Sequence, residues 1–226
     1  MSPDIKQKFL ERLSQIRSRL SGESQLIIVS KTRSIDEIKA YYDLGQRDFG
    51  ENKVQELIEK SQTLLSLCPE IRWHMIGHLQ SNKINQLLGV PHLWAIHSVD
   101  SLELVRKLIQ SEHRLSCEVK IFLQLKTSQE TEKYGFENVS DVRLAAQELK
   151  NSKQMNFFGL MTMGVLRTDH FEQEARRCFQ DLITIKNDLS KDFNVHLESS
   201  MGMSQDYLIA LQEKSNWIRL GTIMFE

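Results

Sequence analysis

Ile5, Phe9, Leu13, Ile16 and Leu20 recur at spacings of three or four residues, which places them on one face of a helix. Ser21-Gly22 ends that pattern, and Leu26-Ile-Ile-Val29 follows as an apolar run rich in β-branched residues. A short continuous run of this kind predicts a strand covered on both faces. From there the period alternates. Strands are predicted near residues 47–49, 72–76, 93–97, 117–125, 157–161, 195–197 and 217–220. Helices are predicted near 34–44, with Gly45 as a C-cap, then at 53–66 and 81–88, up to about 112, and at 139–150, 171–189 and 205–213. The helix containing Phe171, Ala175, Cys178, Leu182, Ile185 and Leu189 has the cleanest periodicity. A polar loop at 126–138 is expected to be mobile.

Strand-helix alternation implies a parallel sheet. Eight such units in one chain of 226 residues favour a single α/β domain, a closed (β/α)8 TIM barrel with an N-terminal helix before strand one. No full helix is expected after strand eight, and the N-terminal helix is expected to cover that gap. A formal net charge of −1 gives no electrostatic footprint for nucleic acid. The start, MSPDIKQKF, lacks the pattern of a signal peptide, and no apolar run is long enough to span a membrane. Cys68, Cys117 and Cys178 are widely spaced, which fits a reducing cytoplasm and a chain without metal. No exposed apolar stripe asks for a partner, so a monomer is expected.

Barrel active sites form where strands end at the C-terminal face. Lys31 follows the first strand directly, so its stem is expected to start inside the barrel mouth, where a desolvated amine can attack an aldehyde. The competing reading is a lysine that reaches solvent at a strand end. Ser199-Ser200-Met-Gly-Met-Ser204 precedes a helix, and Arg219-Leu-Gly-Thr222 ends the next strand. Loops after strands seven and eight commonly bind phosphate in barrels; the alternative is an ordinary turn with Ser204 as N-cap. A lysine opposite a phosphate cradle, with an arginine between, suggests pyridoxal 5′-phosphate. Arg219 would then donate to the pyridine nitrogen and leave it unprotonated. Met161, Met163, Met201 and Met203 either shield a ring or fill gaps. Trp73, Trp94 and Trp217 are expected to pack, and His74, His97 and His196 to be strand residues, buried rather than catalytic.

In these segments the chain resembles the pyridoxal-phosphate homeostasis (YggS/PROSC-type) family, related in fold to the N-terminal domain of alanine racemase. The matching stretches are Val29-Ser-Lys-Thr32, Gly45 to Asn52, Trp73 to Gly77 with Leu79 to Lys83, His97-Ser98, Lys133-Tyr-Gly135, Gly159-Leu-Met161, Ser200 to Ser204 and Arg219 to Thr222. The resemblance implies a fold-type III cofactor barrel with Lys31 as the Schiff-base lysine. Asn52 would lie near the ring substituents, Ser200, Gly221 and Thr222 on the phosphate, and Arg219 at the ring nitrogen. Ser98 and Met201 would complete the cofactor-binding set, with no catalytic residue. It also implies a role in supplying the cofactor and balancing amino-acid and keto-acid pools, with cofactor-requiring apo-enzymes or regulatory proteins as partners. Two departures stand out: Gln124-Leu-Lys126 replaces the family's usual Gln-Val-Asn, and the family usually continues past Glu226. An amino-acid racemase is the alternative function. It needs a second acid/base opposite the lysine, and none of Tyr41, Tyr42, Tyr134 and Tyr207 is expected at a strand's C-terminal end.

Overall fold

The computed structural model describes residues 3–128, 134–164 and 169–226. Helix α1 (Pro3–Arg17) precedes β1 (Gln25–Val29). The repeat then runs α2 (Ile35–Asp43), β2 (Asp48–Glu51), α3 (Val54–Leu64), β3 (Arg72–Met75), α4 (Ile84–Leu87), β4 (Leu93–Val99), α5 (Leu102–Gln110) and β5 (Val119–Gln124). It continues with α6 (Val139–Lys150), β6 (Met155–Met161), α7 (Phe171–Phe193), β7 (Glu198–Ser200), α8 (Tyr207–Gln212), β8 (Trp217–Leu220) and α9 (Thr222–Phe225). The strands pair in sequence order, all parallel, and β8 returns to β1 to close the barrel.

Local chemistry starts and stops these elements. Ser34 accepts the Glu37 N–H and the Glu37 side chain reaches back, forming a capping box at α2. Ser101 and Asn138 cap α5 and α6 in the same way, without the reciprocal bond. Beyond α2, Gly45 takes φ +87°, the left-handed geometry of a helix end. Most of the core lies between strands and helices, where Ile28, Phe49, Trp73, Ile96, Leu123 and Leu160 meet the helix faces. Inside the barrel Ile27, Ala95, Phe122, Met161 and Trp217 form a smaller cluster, with Trp94 and Phe158 against it.

Two elements differ from expectation. The seventh strand is the polar segment Glu198–Ser200, not 195–197. Helix α7 runs on to Phe193 and ends at left-handed Asn194, so Val195 and His196 lie exposed in the connection. The strand is held by side-chain bonds: the Ser199 N–H and hydroxyl both donate to Asn216 Oδ1. After β8 the chain makes one short helical turn, α9, which α1 covers as anticipated. Phe9 stacks on Tyr41 at 4.4 Å, and Phe225 sits edge-on to both. In the loop after β5, residues 129–133, Lys133 among them, lie outside the described residues. Its two ends are pinned, since the Lys126 N–H donates to Phe136 O and the Phe136 N–H to Gln124 O. Among the described residues, no helix is long and apolar enough to cross a membrane.

Candidate functional site

A cavity of about 410 Å³ opens at the C-terminal end of the strands, a volume suited to a small cofactor. Val29, Ile76, Met161, Met163 and Met203 give it apolar walls. Lys31, Asn52, Arg219, Gly221 and Thr222 bring polar groups from β1, β2 and β8, and Ser204 joins them from the β7–α8 turn. Five of the eight expected cofactor residues therefore meet in one cavity. Ser98, Ser200 and Met201 do not line it. Ser98 is buried and donates to Gly77 O at 2.6 Å, tying the end of β4 to the end of β3. Met201 belongs to the core outside the barrel. The Ser200 hydroxyl is buried beneath Arg219 and is already engaged there.

Lys31 differs from expectation in its burial. The buried residue at the end of β1 is Ser30, and Lys31 is exposed at the rim. Its position is nevertheless fixed, because the next residue, Thr32, is left-handed at φ 62°. That geometry is unfavourable for a β-branched residue and persists only where the surroundings enforce it. The Thr32 N–H donates to Glu56 Oε2 at 3.2 Å, and this bond is the main reason the Glu56 carboxyl is held below its usual range.

Behind Lys31 lies a buried ion pair. Lys60 Nζ donates to Ser30 O at 2.7 Å and to Glu51 Oε1 at 2.8 Å, and the Ser30 hydroxyl donates to the same carboxylate oxygen at 2.7 Å. Burial pushes the Glu51 carboxyl up, while Lys60 and Ser30 oppose the shift. Lys60 has a legible but overlooked signal in the sequence: it stands with Leu57, Ser61 and Leu64 on the apolar face of α3.

Asn52 follows directly from Glu51. Its Oδ1 is buried without a hydrogen-bond partner, which leaves it available to a ligand. A Cβ at Gly77 would come within 2.2 Å of Asn52 O, so only glycine lets the end of β3 pack against this residue. On the opposite side Gly202 adopts φ +97°, and a Cβ there would meet Ala210 Cβ at 2.6 Å. This is how the β7–α8 turn carries Met203 and Ser204 to the cavity. The cap of α8 is Asp206 rather than Ser204, and its Oδ1 accepts the Met203 N–H at 2.6 Å.

Arg219 is 4% exposed and donates from Nη1 to Ser200 Oγ at 2.6 Å and from Nη2 to Thr162 O at 3.0 Å. Burial lowers its pKa to about 10, against an opposing pull from Asp206, so it remains a cation and a pure donor at neutral pH. Lys126, the departure at the end of β5, does not line the cavity; its ammonium lies 3.6 Å from Glu137. The tyrosines also lie elsewhere. Tyr41 bonds Met224 O, Tyr42 accepts the Glu70 N–H, Tyr134 stacks on His78, and Tyr207 accepts from Arg19.

The residues present fit pyridoxal phosphate. Lys31 could supply an amine, Asn52 an amide oxygen without a partner, and Arg219 a permanent donor to a ring nitrogen. Ser204, Gly221 and Thr222 offer small polar groups to an anion, and Met161, Met163 and Met203 would wall the ring.

Residues 6–226 match the family model described as alanine racemase, N-terminal domain. The human protein named pyridoxal phosphate homeostasis protein is 38% identical over 90% of this chain and 76% of its own length. Its namesake from Caenorhabditis elegans is 35% identical over 100% of this chain and 97% of its own. Among solved structures, PipY of Synechococcus elongatus, with PLP bound, superimposes with a TM-score of 0.86 at 36% identity, covering 96% of this chain and 100% of that one. Alanine racemase from E. faecalis shares the fold, with a TM-score of 0.74 at 14% identity over 97% of this chain and 57% of that one. The chain therefore belongs to the pyridoxal phosphate homeostasis family, built on the alanine racemase N-terminal barrel.

Proposed function

We propose that this protein holds pyridoxal 5′-phosphate as a Schiff base on Lys31 and serves cytoplasmic cofactor supply and amino-acid and keto-acid balance, without a reaction of its own. The observation that carries this reading is the cavity itself, which gathers one lysine, the unpartnered Asn52 amide and the buried Arg219 cation around a small-molecule volume. The PLP-bound state of PipY, which has the same fold at 36% identity, supports it. When bound, the cofactor would supply an electrophilic aldehyde carbon, and Lys31 would be the amine that holds it. Arg219 would face the ring nitrogen as a donor that has no acceptor, a partner that would leave the ring a weak electron sink. Ser204, Gly221 and Thr222 would hold the phosphate, with the Ser200 hydroxyl bonded to Arg219 instead.

A racemase needs a second acid/base on the far face of the bound amino acid. Among the described residues no tyrosine lines the cavity, which favours the holder over the enzyme. The rim at Lys31, Gln205 and Thr222 is open to solvent. Water or another amine can therefore reach the linkage, so the monomer can pass its cofactor to apo-enzymes that require it. The test loads the protein, fixes half of the sample with borohydride and maps the labelled peptide, which should carry the label on Lys31. Both halves are then mixed with an apo-enzyme that uses the cofactor. Activation by the unreduced half alone supports the donor role; equal activation by both, or by neither, rules it out.

A further inference from the structure

A line of buried polar side chains crosses the barrel interior from its N-terminal end to Arg219. Asp48 begins β2, and its carboxylate accepts from Arg72 at the start of β3. Asp48 Oδ1 lies 2.9 Å from His74 Nε2, His74 Nδ1 lies 2.9 Å from His97 Nε2, and His97 Nδ1 lies 2.9 Å from Ser200 Oγ. Ser200 Oγ then accepts from Arg219 Nη1. All five residues are buried.

The chemistry of the two ends fixes every proton between them. Arg219 only donates, so Ser200 Oγ must accept from it and use its own hydrogen toward His97 Nδ1. His97 is then the Nε2–H tautomer and donates to His74 Nδ1. His74 is likewise Nε2–H and donates to Asp48, which Arg72 keeps as an acceptor. Both imidazoles are neutral in this arrangement. Burial pulls both pKa values down, helped by Arg219 beside His97 and by Arg72 and Lys120 beside His74, with Asp48 opposing at His74.

We propose that Asp48, His74, His97 and Ser200 are positioning residues: a one-way hydrogen-bond chain that holds the Arg219 guanidinium at the angle needed by the ring nitrogen of the bound cofactor. The proposal rests on the cofactor reading above and deepens it. Its distinctive consequence appears in Asp48→Asn. Arg72 donates, so the new amide turns its oxygen to Arg72 and its NH2 to His74. His74 and His97 must then both become Nδ1–H tautomers. Ser200 Oγ would receive hydrogens from both His97 and Arg219 while its own hydrogen has no partner. The hold on Arg219 loosens although the volume of the barrel hardly changes.

The test uses imidazole and guanidinium 15N NMR on the cofactor-free full chain, with cofactor titration and visible spectra alongside. In the unaltered protein both histidines should be Nε2–H, and the Arg219 N–H signals should be resolved by restricted rotation. Asp48→Asn should switch both histidines to Nδ1–H and broaden the Arg219 signals. It should also weaken cofactor binding on the order of tenfold, the loss of about one hydrogen bond, and move the visible band. Ser200→Ala should leave the tautomers alone, because Asp48 still sets them, yet reproduce the Arg219 and cofactor effects. Nδ1–H tautomers in the unaltered protein overturn the chain. So does a tautomer switch in Asp48→Asn that leaves Arg219 signals and cofactor affinity unchanged, since the residues would then be core only. If the unaltered protein bound no cofactor, the parent reading would fail by itself, while the Arg219 and imidazole signals would still decide the chain.

Discussion

On the β1–β2 side of the cavity, Lys31 stands exposed at the rim, and the charges that set its position lie behind it, outside the strands, where Lys60 on α3 meets Glu51 and Glu56. On the β8 side, Arg219 is itself buried and is anchored from within the barrel, through Ser200 and His97. An amine that must form and release a covalent bond needs access to solvent and a fixed backbone. An arginine that must present one donor at one angle gains from burial, because few surrounding groups compete for it. The two sides should therefore respond differently to mutation: the first in chemistry and fold stability separately, the second in cofactor affinity.

The largest expected effect separates chemistry from stability on the first side. Lys31→Ala should abolish borohydride labelling and the imine absorbance while the thermal midpoint stays within a few degrees of the parent, because an exposed side chain contributes little to folding. Residual label at another lysine would move the attachment point away from β1.

Lys60→Met should do the reverse. It leaves the Glu51 carboxylate, fully buried, with only the Ser30 hydroxyl as partner. Removing one member of a buried pair costs about 3–5 kcal/mol, which urea unfolding would read directly. A loss below about 1 kcal/mol would show that the buried Glu51 carboxyl takes up a proton and does not need the Lys60 ammonium.

Acid should act through the interior of the second side. His74 and His97 have folded pKa values below the ordinary 6.5, chiefly through burial. Below 6.5 the unfolded chain takes up protons that the folded chain refuses. Their contribution is thus complete above that value and is lost as pH falls toward the folded pKa values. Each imidazole that stays neutral gives a slope of up to about 1.4 kcal/mol per pH unit, and His97, pulled well below its ordinary value, should carry the larger part. Stability measured by urea at steps from pH 7 to 5 checks this; a flat profile would mean that the histidines protonate in place.

Arg219→Gln should have the smallest effect of the four. It should weaken cofactor retention by about tenfold to a hundredfold, the equivalent of a charge-assisted hydrogen bond worth about 1.5–3 kcal/mol, and shift the visible spectrum. An unchanged dissociation constant and band would show that the guanidinium serves only Ser200 and Thr162.

Much of the barrel was legible because most strands are apolar runs and most helices carry a clean apolar face. Strand β7 was displaced for the same reason. Its residues Glu198-Ser-Ser200 are polar, whereas the apolar-looking Val195 and Leu197 belong to the connection, Val195 exposed and Leu197 buried. Hydrophobic period cannot report a strand held by Asn216 and Ser199 hydrogen bonds.

Position along the chain was enough to bring Lys31, Asn52, Arg219, Gly221 and Thr222 to one mouth, because in a parallel barrel every strand's C-terminal end faces the same way. Ser98 and Met201 stand at strand ends too, yet point away from the cavity, and Ser200 faces the barrel interior beneath Arg219. Successive strand residues alternate between the barrel interior and its outer layer, and a shift of one residue exchanges the two. The same holds for Asp48, His74 and His97, which read separately as ordinary buried residues. Local sequence decides which segments become strands and where they stop. Only closure of the barrel decides which side chains face inward, and so makes four distant residues, Asp48, His74, His97 and Ser200, into a hydrogen-bonded line to Arg219.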